Sequence, residues 1–404
     1  MAATPWAILK CKFSDDNSEP ETDAFYDALF TTAGNGTLNM TTFFDEVSHG
    51  ALDLSGSQVF GWYTLDQKQS DYKGSGPNPQ GRQDLVDWAK AKAVADGVVL
   101  TDFYGVVVTM NVSTDLFGGW QQAVCDKNSL VPSALGQEMG HGYGLDHSRM
   151  DGSNADYQDQ WDIMSTASAY SAADTDYTSV GPGLNAANMR GRGWLDETRV
   201  WKNWSDGAND IVTLRPVHRR DLPGYLAAEI GEYLIEFRPR ARWDSAIPWP
   251  CVLIHRFADN RSYLMSGSAG QQTLTAGATF ERGNPSPVDM AHSYIRVDVD
   301  NIDGNANTAT LHLQYRKVDH HHDQVGPGTL FGGVGVDGGG WILLGGTIIH
   351  IPPHSPLLEA LSHIALIETS DLATDRDLRS SLKLSAAENL MSFSRRVAEK
   401  EQRG

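Results

Sequence analysis

Residues 137 to 147 read Gln-Glu-Met-Gly-His-Gly-Tyr-Gly-Leu-Asp-His, and this run constrains the chain more than any other. Positions i and i+4 of a helix share a face, so Gln137 and His141 can reach one ion. Glu138 follows the first of them, where a carboxylate serves as general base toward an ion-bound water. Gly144 marks the end of the helix, because glycine tolerates the left-handed backbone that closes a helix C-terminus. The chain then turns back and brings His147 to the same point. Pro132 and Ser133 read as the helix start, with Ser133 as the N-cap. Three protein ligands leave a position open for water, which is the catalytic arrangement rather than the closed structural one. The Gln137 oxygen is a neutral and weaker donor than imidazole, although a neighbour that holds its amide nitrogen helps it ligate. One divalent ion is expected. Zinc comes first, with copper or another transition metal left open because two imidazoles and an amide do not fix its identity. Gly140 and Gly142 are costly inside a helix, which is odd for a merely structural segment.

A second segment, Asp159 to Ser165, reads Asp-Gln-Trp-Asp-Ile-Met-Ser. Together the two segments resemble the metzincin peptidases. The first is their zinc signature H-E-x-x-H-x-x-G-x-x-H with glutamine in place of the first histidine. The second is similar to their Met-turn, which implies Met164 as an apolar floor beneath the metal. Residues 6–15, 43–50 and 61–63 resemble the early strand region of immune inhibitor A-like peptidases, and residues 181–186 and 193–195 resemble the segment that closes that catalytic domain. The third ligand, His147, is closer to gametolysin-like algal peptidases, a family that also includes members with Q-E-x-x-H.

The resemblance implies a metal-dependent endopeptidase acting on a protein or peptide, with Glu138 as general base and Gln137, His141 and His147 as ligands. It also implies an extracellular location, a substrate-lining stretch around Leu116 to Trp120, and Tyr170 as the nearest tyrosine after the Met-turn. The rival expectation is a catalytically inactive, peptidase-like binding or adhesion protein in which Gln137 marks decay. Retention of Glu138 argues against it, since a carboxylate beside an empty site is awkward to keep.

The 404 residues suffice for two or three domains. A hydrophobic fraction of 40% and a charged fraction of 21% are globular values. The formal charge of −19 repels phosphate backbones and anionic lipid surfaces, so neither nucleic acid nor a membrane is an expected partner. Cys11, Cys125 and Cys251 have no paired spacing; one bridge can form, with one thiol left over. No apolar run reaches membrane-spanning length. The first residues, Met-Ala-Ala-Thr-Pro, lack the basic and apolar regions of a signal peptide.

Four regions are expected: an α/β metallopeptidase domain over 1–200, a β-sandwich over 201–318, a Gly/His-rich linker over 319–340, and a small hairpin-plus-helix region over 341–404. In the first, strands are expected at 6–13, 59–65, 98–100 and 103–109, with a helix over 82–96 carrying Leu85, Trp88, Ala89 and Ala93 at helical spacing. In the second, short strands are expected at 211–214, 225–230, 233–237, 252–257, 262–265, 294–299 and 308–315, separated by turn signals. Such a sandwich commonly serves as an exosite or targeting module. Asp298, Asp300, Asp303 and Asn305 read as a solvated turn rather than a calcium loop.

Overall fold

A computed structural model describes residues 2–74, 80–267, 270–283, 293–317 and the strands at 340–344 and 347–351. It is a mixed α/β protein with several sheets and few helices. The chain divides into two units, Met1–Val318 and Asp319–Gly404. In the second, Gly340–Leu344 and Thr347–Ile351 pair antiparallel over the stretch read as a hairpin. The linker with His320 to His322, and the helices expected after Pro352, lie outside the described residues.

The first unit begins with a five-stranded sheet. Its strands are β1 (Trp6–Lys12), β2 (Gln58–Thr64), β3 (Gly105–Met110), β4 (Phe117–Gly119) and β5 (Gln122–Asp126), in the order β2-β1-β3-β5-β4. All neighbours run parallel except β4, which is antiparallel to β5 and forms an edge. The central β3 is buried along its whole length, Thr109 included, as its largely apolar run suits a parallel strand covered on both faces. Helix α3 (Gln80–Ala95) covers one face with Leu85, Val86, Ala89 and Ala93. Helices α1 (Asp23–Phe30), α2 (Met40–Val47) and α4 (Pro132–Gly142) contribute to the core on the other.

Two local expectations, at 98–100 and at Ser133, are corrected here. Residues 43–47, in the stretch likened to the early strand region of immune inhibitor A-like peptidases, are helical. Asn39 caps α2 through its side-chain oxygen, which accepts from the Thr42 N–H at 3.0 Å, and Phe43, Phe44 and Val47 then fall on the buried face. Val98 to Leu100 forms no strand. Gly97, at φ 89°, ends α3, and a 3-10 turn at Leu100–Asp102 follows at once. Ser133 is not the cap of α4. The cap position is Val131, Pro132 is the first helical residue, and the Ser133 hydroxyl pairs with Ser179 Oγ at 2.7 Å.

The following part is a β-sandwich. A six-stranded sheet contains β6 (Arg149–Met150), β7 (Val200–Lys202), β9 (Ala227–Ile230), β10 (Tyr233–Arg238), β11 (Cys251–Ala258) and β12 (Arg261–Leu264), in the order β6-β12-β11-β10-β9-β7. A four-stranded sheet contains β8 (Ala208–Leu214), β13 (Thr279–Arg282), β14 (Tyr294–Asp303) and β15 (Thr308–Arg316), in the order β8-β15-β14-β13. Alternate residues of β15 are buried, the pattern of a strand with one face in a core. Ile235, Phe237, Val252 and Ile254 from the first sheet meet Val297, Val299, Leu311 and Leu313 from the second.

The six-stranded sheet has a second buried face. Ala227 and Leu234 join the core formed with α2 and α4, and Leu253 and Leu264 pack with Trp161. Two strands at its edges, β6 and β7, come from sequence before residue 203. β6 follows directly on His147 and runs parallel to β12 through Arg149–Tyr263 and Met150–Leu264 pairs. Cys11, Cys125 and Cys251 are all free and buried. No helix among the described residues is long and apolar enough to cross a membrane.

Candidate metal centre

The site is built on α4. Its helix stops at Gly142, Tyr143 caps it, and Gly144 follows at φ 83°, where the Leu145 N–H returns to the Gly140 carbonyl at 3.0 Å. That reversal carries His147 back toward His141. Their Nε2 atoms stand 3.0 Å apart.

The outer nitrogens fix the tautomers. His141 Nδ1 lies 2.8 Å from the Leu145 carbonyl, and His147 Nδ1 lies 3.2 Å from Asp156 Oδ2. A carbonyl and a carboxylate only accept, so each Nδ1 carries the ring proton. Both Nε2 atoms are therefore lone pairs, and they face each other. Two acceptors settle at that distance when a cation binds both, or when one ring takes a second proton. Burial opposes the second proton on His141 and holds its pKa below the ordinary imidazole value; the hydrogen bond to Leu145 acts the other way. Two facing lone pairs also suit a metal ion, with the Nδ1 partners setting ring orientation as they do around bound metals.

Asp156 is itself held. Arg149 Nε donates to its Oδ1 at 2.7 Å, and Arg261 Nη1 donates to the same oxygen at 3.3 Å. Burial acts against its charge, but the hydrogen bonds from Arg149 and His147 keep its carboxyl below the usual carboxylate range.

Gln137 and Glu138 are only 6% and 4% exposed. Gln137 Oε1 accepts from the Thr166 N–H at 2.8 Å, and its Nε2 donates to Glu138 Oε1 at 3.1 Å. The amide is thus held at its nitrogen, and its oxygen keeps one lone pair beyond the Thr166 bond. Burial pushes the Glu138 carboxyl up to about 7, a value at which it can both take and return a proton near neutrality. Among the described residues no group of three or more His, Cys, Asp or Glu side chains gathers as a metal site. The position of α4 one turn before His141 offers an amide instead.

Met164 sits in a 3-10 turn, Ile163–Ser165, and is fully buried. A Cβ on Gly140 would fall 2.7 Å from its sulfur, so the glycine lets the helix lie directly on the methionine. Gly142 plays the same part against the Trp6 ring, where a Cβ would fall 2.4 Å away. On the other side of the helix the edge strand β4 comes equally close. A Cβ on Gly118 would lie 2.2 Å from the Glu138 carbonyl oxygen.

Tyr170, the tyrosine expected near the site, packs on Trp161 with ring centroids 5.3 Å apart. The ring beside His147 is Tyr157, at 4.1 Å, with a backbone φ of 64° that few non-glycine residues adopt. Sequence reasoning passed over Tyr157, Asp156, Thr166 and Arg261. For Asp156-Tyr157 a signal existed in their position between His147 and the Met164 turn; for Arg261 none existed. A surface cavity of about 420 Å³ lies elsewhere, lined by Asp45, Glu46, His218 and Arg220 among others, and includes none of the residues of this centre.

No family model and no curated protein matches the chain. Among solved structures, the crystal structure of wild-type OgpA from Akkermansia muciniphila is similar with a TM-score of 0.33 and 9% identity, covering 77% of this chain and 92% of that one. A likeness at that level assigns neither a fold family nor an activity.

Proposed function

We propose that the chain is a metal-dependent endopeptidase of metzincin type. The observation that carries this reading is the pair of imidazole lone pairs, His141 Nε2 and His147 Nε2, aimed at each other across 3.0 Å, with the buried Glu138 on the same helix as His141. His141, His147 and the free lone pair of Gln137 Oε1 would hold one divalent ion, zinc first among candidates. Bound there, the ion supplies Lewis-acid polarisation of a peptide carbonyl. Glu138 takes a proton from the attacking water and returns it to the departing amine, a double duty suited to a carboxyl raised to about 7. The edge of β4, unpaired among the described residues and seated over α4, offers backbone groups to an extended peptide.

The test is Glu138→Gln. Peptide hydrolysis is expected to fall by about 100-fold or more, while elemental analysis finds the same single ion per chain as in the parent. A Glu138→Gln protein with parental peptidase activity removes the mechanism.

One observation favours a second reading, a non-catalytic binding protein. Both polar ends of Gln137 already have partners inside the protein, at Thr166 and Glu138. Elemental analysis of protein purified without added metal separates the two. A stoichiometric ion supports the enzyme, and an ion-free protein that stays ion-free on addition of zinc supports the binding protein.

A further inference from the structure

The β-sandwich touches the ligand loop at several independent points. β11 and β12 form a hairpin closed by Asp259 and Asn260, both at positive φ, with Ala258 paired to Arg261. That is the two-residue turn geometry favoured by right-twisted hairpins. The tip of this hairpin lies against the loop between α4 and β6. Asn260 Nδ2 donates to the Gly144 carbonyl at 3.3 Å and to Asp146 Oδ2 at 3.1 Å. One residue on, Arg261 Nη1 donates at 3.3 Å both to the backbone carbonyl of His147 and to Asp156 Oδ1. Next, Ser262 Oγ meets Ser148 Oγ at 2.9 Å. Three successive sandwich residues thus grip the backbone and side chains around His147, while β6, the segment just after it, is itself an edge strand of the sandwich sheet.

We infer that the sandwich is a built-in part of the metal centre, and that Arg261 is a positioning residue that sets the His147 imidazole through Asp156 and the His147 carbonyl. This rests on the reading of His141 and His147 as ligands. The physical logic is short. The His147 ring has one rotation that aims Nε2 at His141, and Asp156 selects it by accepting from Nδ1. Asp156 can do so only while its own carboxylate is fixed, and two guanidinium groups fix it. Arg149, on β6, lies two residues from His147 in the same stretch of chain and shares Asp156 Oδ1 with Arg261. Arg261 comes from more than a hundred residues away, and it holds the carboxylate and the loop backbone together. Without it Asp156 and His147 keep each other's company but lose their register against α4.

The experiment compares the parent, Arg261→Ala, Arg261→Lys and Arg256→Ala, all as the full chain. Arg256 is the control. It lies on the neighbouring strand, pairs with Asp151 at 3.2 Å and stacks over Tyr263. The first readout is the affinity for Co2+ alone, followed by its visible absorption. Arg261→Ala is expected to weaken it about 10- to 100-fold, Arg261→Lys to recover most of the loss, and Arg256→Ala to match the parent. The second readout needs no ion. Imidazole nitrogen NMR of the metal-free protein is expected to show His147 as the Nδ1–H tautomer in the parent and as a mixture of tautomers in Arg261→Ala. A variant whose His147 resonances superimpose on the parent's overturns the proposal. A parent that takes up no Co2+ counts against the ligand reading itself, and the NMR comparison then decides the role of Arg261 by itself. Should Arg261→Ala not fold, Arg261→Gln carries the same comparison.

Discussion

Gln137 holds two jobs that pull in different directions. Its oxygen accepts from Thr166 and its nitrogen donates to Glu138, so the amide ties α4 to the Met164 turn and shares a hydrogen bond with the proposed base. As a ligand it offers one remaining lone pair on a neutral oxygen, which binds a borderline ion less tightly than imidazole nitrogen does. Gln137→His is therefore expected to raise zinc affinity about tenfold or more. The Thr166 N–H keeps a second acceptor in the Ile163 carbonyl at 3.1 Å, so the stability cost stays small. Zinc titration against a competing chelator measures the gain. An affinity unchanged by the histidine places residue 137 outside the coordination sphere.

At the scale of elements, the decisive contact is β4 against α4. The edge strand lies so close to the helix that a Cβ on Gly118 would meet the Glu138 carbonyl oxygen at 2.2 Å and the His141 Cβ at 2.8 Å. No side-chain rotation relieves that contact. Gly118→Ala is expected to cost about 1–3 kcal/mol, read as a lower urea midpoint, with the edge strand displaced from the helix. Gly119 is the internal control, because a Cβ there meets nothing nearer than Gln122 at 3.6 Å. Gly119→Ala is expected to leave the midpoint unchanged or slightly raised. Equal losses from both would show that strand propensity, not contact with the helix, sets the effect. How far each element was readable follows the same distinction between local and distant causes. Strands such as β15 announced themselves by alternation, and β3 by a largely apolar run. The spacing from Gln137 to His147 foretold the reversal at Gly144, which depends on one residue's freedom. β6, β7 and β13 went unread. The first two are two and three residues long and exist only because a distant strand lies alongside in parallel; β13 carries a single apolar residue, Phe280, among four. The helix over Phe43 to Val47 depends on Asn39 as its cap, a residue that sequence reasoning did not single out. Asp156 and Arg261 belong to one centre through a contact that spans 105 residues, and no local pattern encodes it.

Across the whole molecule, the seam between the α/β part and the sandwich holds a buried polar cluster among its apolar contacts. Arg238 of β10 donates to Asp244 at 2.8 Å and to Glu236 at 3.1 Å, and all three are buried. His218 closes the cluster. Its Nε2 donates to the Leu184 carbonyl at 2.7 Å, its Nδ1 lies 3.8 Å from Asp244, and a Cβ on Gly183 would fall 2.1 Å from its ring. Burial, reinforced by the Arg238 charge and only partly opposed by Asp244 and the bond to Leu184, drives the His218 pKa down to about 3 from 6.5. The imidazole is thus neutral in the folded seam across the ordinary pH range, while the unfolded chain protonates it below 6.5. Between the two values the unfolded state binds one more proton, so stability falls as pH falls. The contribution is fully present above pH 6.5 and declines by about 1.4 kcal/mol per pH unit below it, until the folded group also titrates. Other groups titrate in the same window, among them Asp162, which burial and the Asp159 carboxylate push upward and which acts with the opposite sign. The comparison that isolates His218 is therefore the parent against His218→Gln, whose amide can keep the bond to Leu184. Urea unfolding at pH 7.5, 6 and 5 is expected to show the parent losing stability relative to the variant by about 1.4 kcal/mol per unit below 6.5. Parallel curves would mean that the seam admits a charged imidazole, and that the two halves of the molecule part more easily than their shared sheet implies.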